Sequence, residues 1–452
     1  MNRNLCVMAI LCLLALPWAA AAEEVLDLER AIDLALQNNP FLKSIEERRH
    51  QVEAGVREAW ADVYPQVAFR GGWNRSRNPS LLNSADFEDL IELFPDYSPQ
   101  QQDLYNLGFD LSQPIYHAGK IGAGIKLAKL VVEINDAQIA SAQLDAGLIA
   151  SEAYFRVLES REGLATIEIQ RQARQESLAV VQARYDLGDA TELEILQAKA
   201  ALAELDPIID RARGAVRVAI IDLKAVLNLD ADPNVQELED PLPAMPEKDR
   251  TLMFALDTRP EFDDLELQLD AYDKQKRIVK ADQLPQIDLT GLYGHTVRVP
   301  ENWNDPLYSD WAVAIGLRWE FFNGGRVKAQ VAGLESQKQQ VAWELEALFN
   351  RVEQEVESAI TEYSAALSQW AAAEISAQAA REASRVARES YEEGVALQTD
   401  WLTAQEREIS AEVVRVQSYY GARTSVARMA RAVGLQADEV WQFTGHDTGE
   451  QP

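Results

Sequence analysis

The sequence predicts a mixed α/β membrane protein, in which β-strands form part of a shared barrel and long α-helices pack as a coiled coil. Three observations lead to this fold class. The chain contains an internal duplication, four segments with the alternating pattern of strands, and two long proline-free segments with helical periodicity. Its many charged and alanine-rich stretches favour long packed helices over a compact core.

The first 22 residues have the features of a secretory signal peptide. Arg3 precedes an apolar stretch over residues 5–18, and Ala20 to Ala22 provide a cleavage site for the leader peptidase. The two cysteines, Cys6 and Cys12, lie inside this segment, so we expect a mature chain without thiol, disulfide or lipid anchor. No later stretch reaches the roughly 18 uninterrupted apolar residues of a membrane-spanning helix, so we expect any membrane crossing to use strands.

The rest of the chain consists of two repeats of about two hundred residues each. The segment that ends at Pro40 recurs 220 positions later at Pro260, and Pro65 recurs at the same offset. Farther along the offset is 206, which relates Gly119 to Gly325. Each repeat is predicted to contain a short helix, two strands and two long helices joined by a glycine turn. We therefore predict a signal peptide at 1–22, a first repeat at 23–232, a linker at 233–250, a second repeat at 251–438 and a flexible tail at 439–452.

Each repeat has two segments in which apolar and polar residues alternate, beginning near Val67 and Tyr105 and near Ile287 and Trp311. The segments have about 9–11 residues and carry aromatic residues near their ends, as transmembrane strands do. A soluble amphipathic sheet is the alternative, but the signal peptide and the duplicated strand pairs favour a membrane. Because hydrocarbon does not tolerate an open sheet edge and four strands are too few to close, we expect the subunit to oligomerise.

Segments 124–185 and 327–393 predict two helices of about 60 residues, each near 90 Å long. Shorter return helices are predicted at 192–228 and 400–433, with helices inside 40–64 and 260–284 stacked end to end on them. Helices of this length are stable through lateral packing, which indicates a coiled-coil assembly. A periplasm-spanning structural tether is an equal alternative on the helices alone, and only the strands favour a channel.

Charge and motifs argue against catalysis, metal binding and nucleic-acid binding. The 73 acidic and 43 basic residues give a formal net charge of −30, which opposes nucleic acid as a partner and makes a water-filled conduit favour cations. The four histidines lack metal-ligand spacing, and no mature cysteine complements them. Since no nucleophile motif or P-loop is present either, we predict no enzyme activity, no cofactor and no metal site.

In order and spacing, these features resemble the TolC-type outer-membrane efflux proteins, also called outer membrane factors, over essentially the whole mature chain. The duplication and the spacing carry the resemblance, because no single motif is diagnostic. The matching residues are Leu28, Ala31, Ile32, Ala35, Leu36, Asn39 and Pro40; Pro114-Ile115-Tyr116 with Gly119-Lys120; Phe321-Phe322-Asn323-Gly324-Gly325-Arg326; and Tyr391 and Gly394 followed by Asp400, Leu402, Ala404 and Gln405.

The resemblance implies a homotrimer in the outer membrane of a Gram-negative bacterium, with a 12-stranded β-barrel continued into the periplasm by an α-helical barrel. It implies three further partners, which are outer-membrane lipid, a periplasmic adaptor (membrane fusion) protein and an inner-membrane pump of the RND or ABC type. The implied function is export, with drugs, metal ions or proteins of type I secretion as the cargo. A conductance measurement separates this export channel from the tether.

The resemblance also implies a periplasmic gate. In the family an aspartate after the second tip turn lines the closed entrance, and Asp400 matches that position. Glu194 is its equivalent in the first repeat, and Thr403 stands where a second aspartate is common. An arginine that bonds across the tip in some members is Ala396 here. Capping is the alternative, because Thr191 with Glu194 forms a capping-box pattern and an aspartate at 400 favours the start of a helix.

The two glycine turns between long helices are the predicted adaptor-facing tip. An exposed turn with a small residue allows a partner helix to approach closely. The turn residues are Tyr185, Gly188, Tyr391 and Gly394.

Overall fold

The computed structural model describes residues 25–76, 102–237, 241–297, 303–304, 306 and 309–440. The predicted signal peptide and residues 441–452 of the predicted tail lie outside the described residues. The described part of the chain is mostly helical and contains a four-stranded sheet and a short parallel strand pair. The strands are β1 (Val25–Leu26), β2 (Gln66–Ser76), β3 (Gln102–Tyr116), β4 (Asn234–Val235), β5 (Gln286–Val297) and β6 (Ser309–Arg318).

The four-stranded sheet is antiparallel and has the order β2-β3-β5-β6. Its register aligns the alternating pattern of all four strands, since Phe69 pairs with Phe109, Phe109 with Tyr293, and Tyr293 with Trp311. Directly paired residues of antiparallel strands point to the same face. One face of the sheet therefore carries the alternating apolar residues of every strand, and the polar residues between them lie on the opposite face.

The apolar face of this sheet is exposed in the single subunit. Trp311 is 74% exposed, Val313 68% and Ile315 71%, and Phe69 on β2 is 61% exposed. A folded chain rarely leaves so large an apolar surface in water. Among the described residues, the outer edges of β2 and β6 have no strand partner.

Nine helices are described, and proline occupies the first position of two of them, where its missing N–H breaks no helical hydrogen bond. They are α1 (Leu28–Asn38), α2 (Pro40–Ala61), α3 (Lys120–Leu187), α4 (Glu192–Ala203), α5 (Asp206–Leu227), α6 (Lys248–Thr258), α7 (Pro260–Ala281), α8 (Arg326–Glu392) and α9 (Gln398–Val433). The long helices α3 and α8 have 68 and 67 residues. No helix among the described residues is long and apolar enough to cross a membrane.

The prediction of one return helix over 192–228 is wrong, because α4 ends at Ala203 and α5 begins at Asp206. Pro207 is responsible, since inside a continuous helix it removes a backbone hydrogen bond and crowds the preceding turn. At the second position of α5, proline breaks no helical hydrogen bond and has no preceding helical turn to crowd. The corresponding residue 206 positions later is Val413, and α9 runs through it without a break.

The chain divides into two compact units. The first comprises the described residues of 1–45, 139–260 and 347–452. Its largest core contains Ile32, Tyr154, Phe155 and Leu223, and the parallel pair β1 and β4 lies against it through Leu26 and Val235. The buried Tyr154 hydroxyl donates to the Gln236 carbonyl at 2.6 Å, which fixes the chain after β4.

The second unit, residues 46–138 and 261–346, contains the four-stranded sheet and parts of the long helices. A cluster of ion pairs connects α7 to α8 in this unit. Asp273 accepts from Lys276 and Lys338, both at 2.8 Å, and Lys276 also contacts Glu335 at 2.6 Å. Hydrogen bonds from Lys276 and then Lys338 lower the pKa of Asp273 to about 2.

Candidate functional site

The first predicted tip turn joins α3 to α4. Gly188 has φ = 83°, a conformation that a residue with a Cβ adopts only with strain, and its N–H donates to the Tyr185 carbonyl at 2.9 Å. Thr191 then starts α4 with the predicted capping box. The Glu194 N–H donates to Thr191 Oγ1 at 3.3 Å, and the Thr191 N–H donates to the Glu194 carboxylate at 2.5 Å.

The second tip turn joins α8 to α9 with the same geometry. Gly394 has φ = 77°, and its N–H donates to the Tyr391 carbonyl at 3.0 Å. The Leu397 N–H donates to the Asp400 carboxylate at 3.3 Å, so this carboxylate caps the start of α9. Thr403 Oγ1 donates back to the Thr399 carbonyl at 2.8 Å within the helix.

Two side chains connect the first turn to the second. The Arg184 guanidinium of α3 donates to the carbonyls of Tyr391 and Glu392, the latter at 3.3 Å, and stacks 4.7 Å from the centre of the Tyr391 ring. Gln398 is 2% exposed and donates from Nε2 to the Glu194 carbonyl at 2.8 Å. Hydrogen bonds with a charged donor are the stronger ones, so Arg184 is the main polar contact between the turns.

The equivalent tyrosines of the two turns have different environments. Tyr391 is 3% exposed and packs against Trp401 with ring centres 5.5 Å apart, in a small core with Val181 and Ile195. Burial, and then the charge of Glu194, raise the pKa of Tyr391. Tyr185 remains exposed. Tyr391 therefore stabilises the pair of hairpins, whereas Tyr185 is available to a partner.

A buried polar layer lies between α3 and α9, next to the small core and farther from the turns along the helices. Gln405 donates from Nε2 to Ser177 Oγ at 2.8 Å, and Arg174 donates to the Leu402 carbonyl at 3.5 Å. In the described part of the chain, Nε and Nη1 of Arg174 are buried without a hydrogen-bond partner. Burial lowers the pKa of this guanidinium, although the charges of Glu406 and Glu204 oppose the shift. An incompletely paired buried charge weakens the packing at this level.

The two turns expose four large apolar side chains among acidic ones. Leu187, Leu193, Val395 and Leu397 are all more than 60% exposed. Together they form what we name the tip patch, in which leucine and valine side chains flank both glycines. Exposed apolar patches of this kind often mark sites of protein–protein contact.

The sequence-predicted site residues thus lie on two hairpins that touch. Glu194 and Asp400 are in the first turns of α4 and α9, Thr403 is in the second turn of α9, and Asp400 and Thr403 are exposed. Sequence reasoning missed Arg184 and Gln398, because their partners are backbone carbonyls about two hundred residues away and no local pattern identifies such contacts. Among the described residues, no group of histidine, cysteine and acidic side chains is arranged to hold a metal ion.

Comparisons with known proteins agree with this architecture. The sequence profile of the family described as outer membrane efflux protein matches residues 31–229 and 252–435. The chain is 26% identical to protein CyaE of Bordetella pertussis over 398 residues, covering 85% of this chain and 80% of CyaE. It is 20% identical to outer membrane protein TolC of Vibrio cholerae over 424 residues, covering 90% of each.

The fold is also similar to that of solved structures. The outer membrane protein VceC of Vibrio cholerae superposes with a TM-score of 0.73 at 19% identity, covering 91% of this chain and 96% of VceC. Since the family profile spans most of the chain, the assignment does not depend on any one relative. The chain belongs to the outer membrane efflux protein family and is a protein of the bacterial outer membrane.

Proposed function

We propose that three copies of the chain form an export channel, with a 12-stranded barrel in the outer membrane and an α-helical barrel in the periplasm. The observation that carries this proposal is the four-stranded sheet, with its exposed apolar face and two unpaired outer edges among the described residues. A lipid environment accepts the apolar face but not the edges, since each unpaired backbone group in hydrocarbon costs several kcal/mol. Pairing β6 of one copy with β2 of the next removes every edge.

Three copies are the number that we infer for closure. Known bacterial barrels have at least about eight strands, so a single copy is too small. Two copies would give eight strands around a barrel filled by its own side chains, which leaves no aqueous path. Three copies give twelve strands and a wider interior. The helices α3 and α8, each more than sixty residues long, then pack side by side as the walls of the periplasmic barrel.

The tip patch is the proposed docking surface for a periplasmic adaptor protein, which connects the channel to an inner-membrane pump. Leu187 and Val395 are 78% and 81% exposed at the two turns, and the adjacent glycines add no side chain that would hold a partner helix away. A partner that covers these side chains gains the free energy of their burial. Small molecules or proteins supplied by the pump are the proposed cargo.

We propose that the periplasmic end of the channel is closed by a gate. Three-fold symmetry would bring together three copies of Asp400, with three copies each of Glu194 and Thr403 near them. Carboxylates that crowd in this way bind a divalent cation, which relieves their repulsion and obstructs the opening. Arg184 supplies a cationic contact across the tip in place of the arginine that Ala396 replaces.

Planar-bilayer recordings test the proposal. We expect stepwise conductance with a preference for cations, because the chain carries a formal charge of −30 and a low-dielectric wall focuses the field of its carboxylates. Reversal potentials under a salt gradient measure the preference. If the protein is a tether without a pore, correctly inserted protein will show no conductance. That result would contradict the channel and favour the tether.

A further inference from the structure

The first unit contains an aromatic cavity of about 680 Å³, far along the helices from the tip turns. Trp370 of α8 and Tyr419 and Tyr420 of α9 line one side, and α3 and the chain after β4 line the other. The three rings are contiguous, with centres 5.8 Å apart for Trp370 and Tyr419 and 5.1 Å apart for Tyr419 and Tyr420. The volume lies within the range of pockets that hold drug-sized ligands.

The lining of this aromatic cavity carries three carboxylates, on Glu162, Glu237 and Glu374, and two guanidinium groups, on Arg161 and Arg415. Arg415 is bonded to Glu162 at 2.9 Å and to Glu412 at 3.0 Å, so its charge is compensated. Arg161 donates to the Val235 carbonyl at 3.0 Å. Glu374 and Glu237 also line the cavity, and neither makes an ion pair or hydrogen bond with any residue that the structure describes.

Aromatic faces and uncompensated carboxylates both attract cations. A cation over the face of a tryptophan or tyrosine ring gains about 0.5–2 kcal/mol, more when water is excluded. A ligand that also carries flat apolar surface gains from contact with the exposed parts of the Trp370 and Tyr419 rings.

We propose that the aromatic cavity binds an organic cation with a flat aromatic ring system. The Trp370 and Tyr419 rings, which are only partly buried, provide the stacking surface and Glu374 provides the counter-charge. The inference goes beyond export, because it requires only the packing of α3, α8 and α9 within one unit and neither conduction nor a particular number of copies.

Ethidium is a suitable probe, since it is a flat monocation whose fluorescence anisotropy reports binding. We would titrate the purified full chain in a non-ionic detergent and subtract the titration of detergent alone. Uncharged phenanthridine, which shares the ring system, serves as the competitor without charge. We expect saturable ethidium binding and displacement by phenanthridine only at concentrations at least tenfold higher.

Two variants test the assigned contacts, each with a matched control on the same helix. Glu374→Gln removes the counter-charge and should weaken ethidium binding about fivefold, whereas Glu353→Gln, at an exposed position outside the cavity, should not. Trp370→Leu keeps an apolar side chain but removes the ring, and should weaken binding about tenfold, whereas Trp343→Leu should not.

Three outcomes would overturn the proposal. Absence of saturable binding to the wild-type chain means that the cavity takes no such cation. Equal binding of phenanthridine and ethidium removes the role of charge. Equal losses in Glu374→Gln and Glu353→Gln, with both variants folded by circular dichroism, mean that ethidium binds elsewhere through general attraction to an acidic protein.

Discussion

Replacing Val313 by lysine tests whether the apolar face of the sheet lies in lipid. Val313 is the fifth of the ten residues of β6, it is 68% exposed, and it pairs with Gly291 on β5. If β6 crosses the membrane, this position is close to the middle of the bilayer. The neighbouring Ala314 belongs to the opposite face and pairs with Thr290, so Ala314→Lys introduces the same charge one residue away.

The expected difference between the two variants is large. A lysine on the lipid face near the bilayer midplane costs about 2–4 kcal/mol, while positions that face a barrel interior tolerate charge. Per copy this corresponds to about a 30- to 700-fold change in the folding equilibrium. A trimer contains the substitution three times, so the cost for the assembly is about 6–12 kcal/mol.

The assay compares the amount of detergent-resistant assembly that each variant forms in outer-membrane fractions, with urea denaturation of reconstituted protein as the quantitative measure. We expect Val313→Lys to be strongly depleted and Ala314→Lys to assemble and conduct with altered ion preference. Equal assembly of the two variants would refute the membrane assignment of the apolar face. Depletion of Ala314→Lys alone would mean that the two faces have been assigned in reverse.

Four further predictions concern the turns and the helices. Asp400→Asn keeps an acceptor for the Leu397 N–H, so thermal stability should be unchanged while divalent block of the conductance is lost, and persistent block would contradict gating. Gly188→Trp should abolish export from cells without affecting membrane insertion, and normal export would exclude this turn from adaptor docking. Arg184→Met should lower the free energy of unfolding by about 1–2 kcal/mol in urea titrations, and an unchanged midpoint would show that the contact between the turns is dispensable. The pKa of Asp273 is lowered from 3.8 to about 2, so its ion pairs stabilise the fold above that range and are lost as pH falls through it. The difference in melting temperature between wild type and Asp273→Asn should therefore shrink as pH falls from 5 towards 2 and be lost only below pH 2, and a constant difference over this range would contradict the assignment.

Much of the fold follows from periodicity in the sequence. The four strands occur where apolar residues alternate, and the long helices occur where no proline interrupts a helical pattern. The break before α5 was visible as Pro207 but was missed, because the pattern of apolar residues continues on both sides of it. The strand pair β1 and β4 was also missed, since two residues are too few to establish alternation.

The contacts between the hairpins illustrate what a single sequence does not contain. Tyr185 and Tyr391 are equivalent in the duplication, but only Tyr391 has a tryptophan, Trp401, in position to pack against it; the corresponding residue in the first repeat is Ile195. Arg184 bonds to backbone carbonyls, which every residue possesses. Its partner is therefore determined by tertiary packing and is not encoded in a motif.

The central claim is that β6 of one copy pairs with β2 of the next until three copies close a ring. The predicted mature chain lacks cysteine, so Val67→Cys on β2 and Leu317→Cys on β6 can be combined without background. Within one copy, β2 and β6 are separated by three inter-strand spacings, about 14 Å in total. A thiol cross-linker of about 8 Å cannot span this distance, so cross-links must join different copies.

Cross-linking of this double variant in isolated outer membranes, analysed by denaturing electrophoresis, is the most direct test. The proposed ring predicts linked dimers and trimers, no larger species, and no trimer from either single cysteine variant. A ladder that ends at two copies, or continues beyond three, would contradict the 12-stranded barrel.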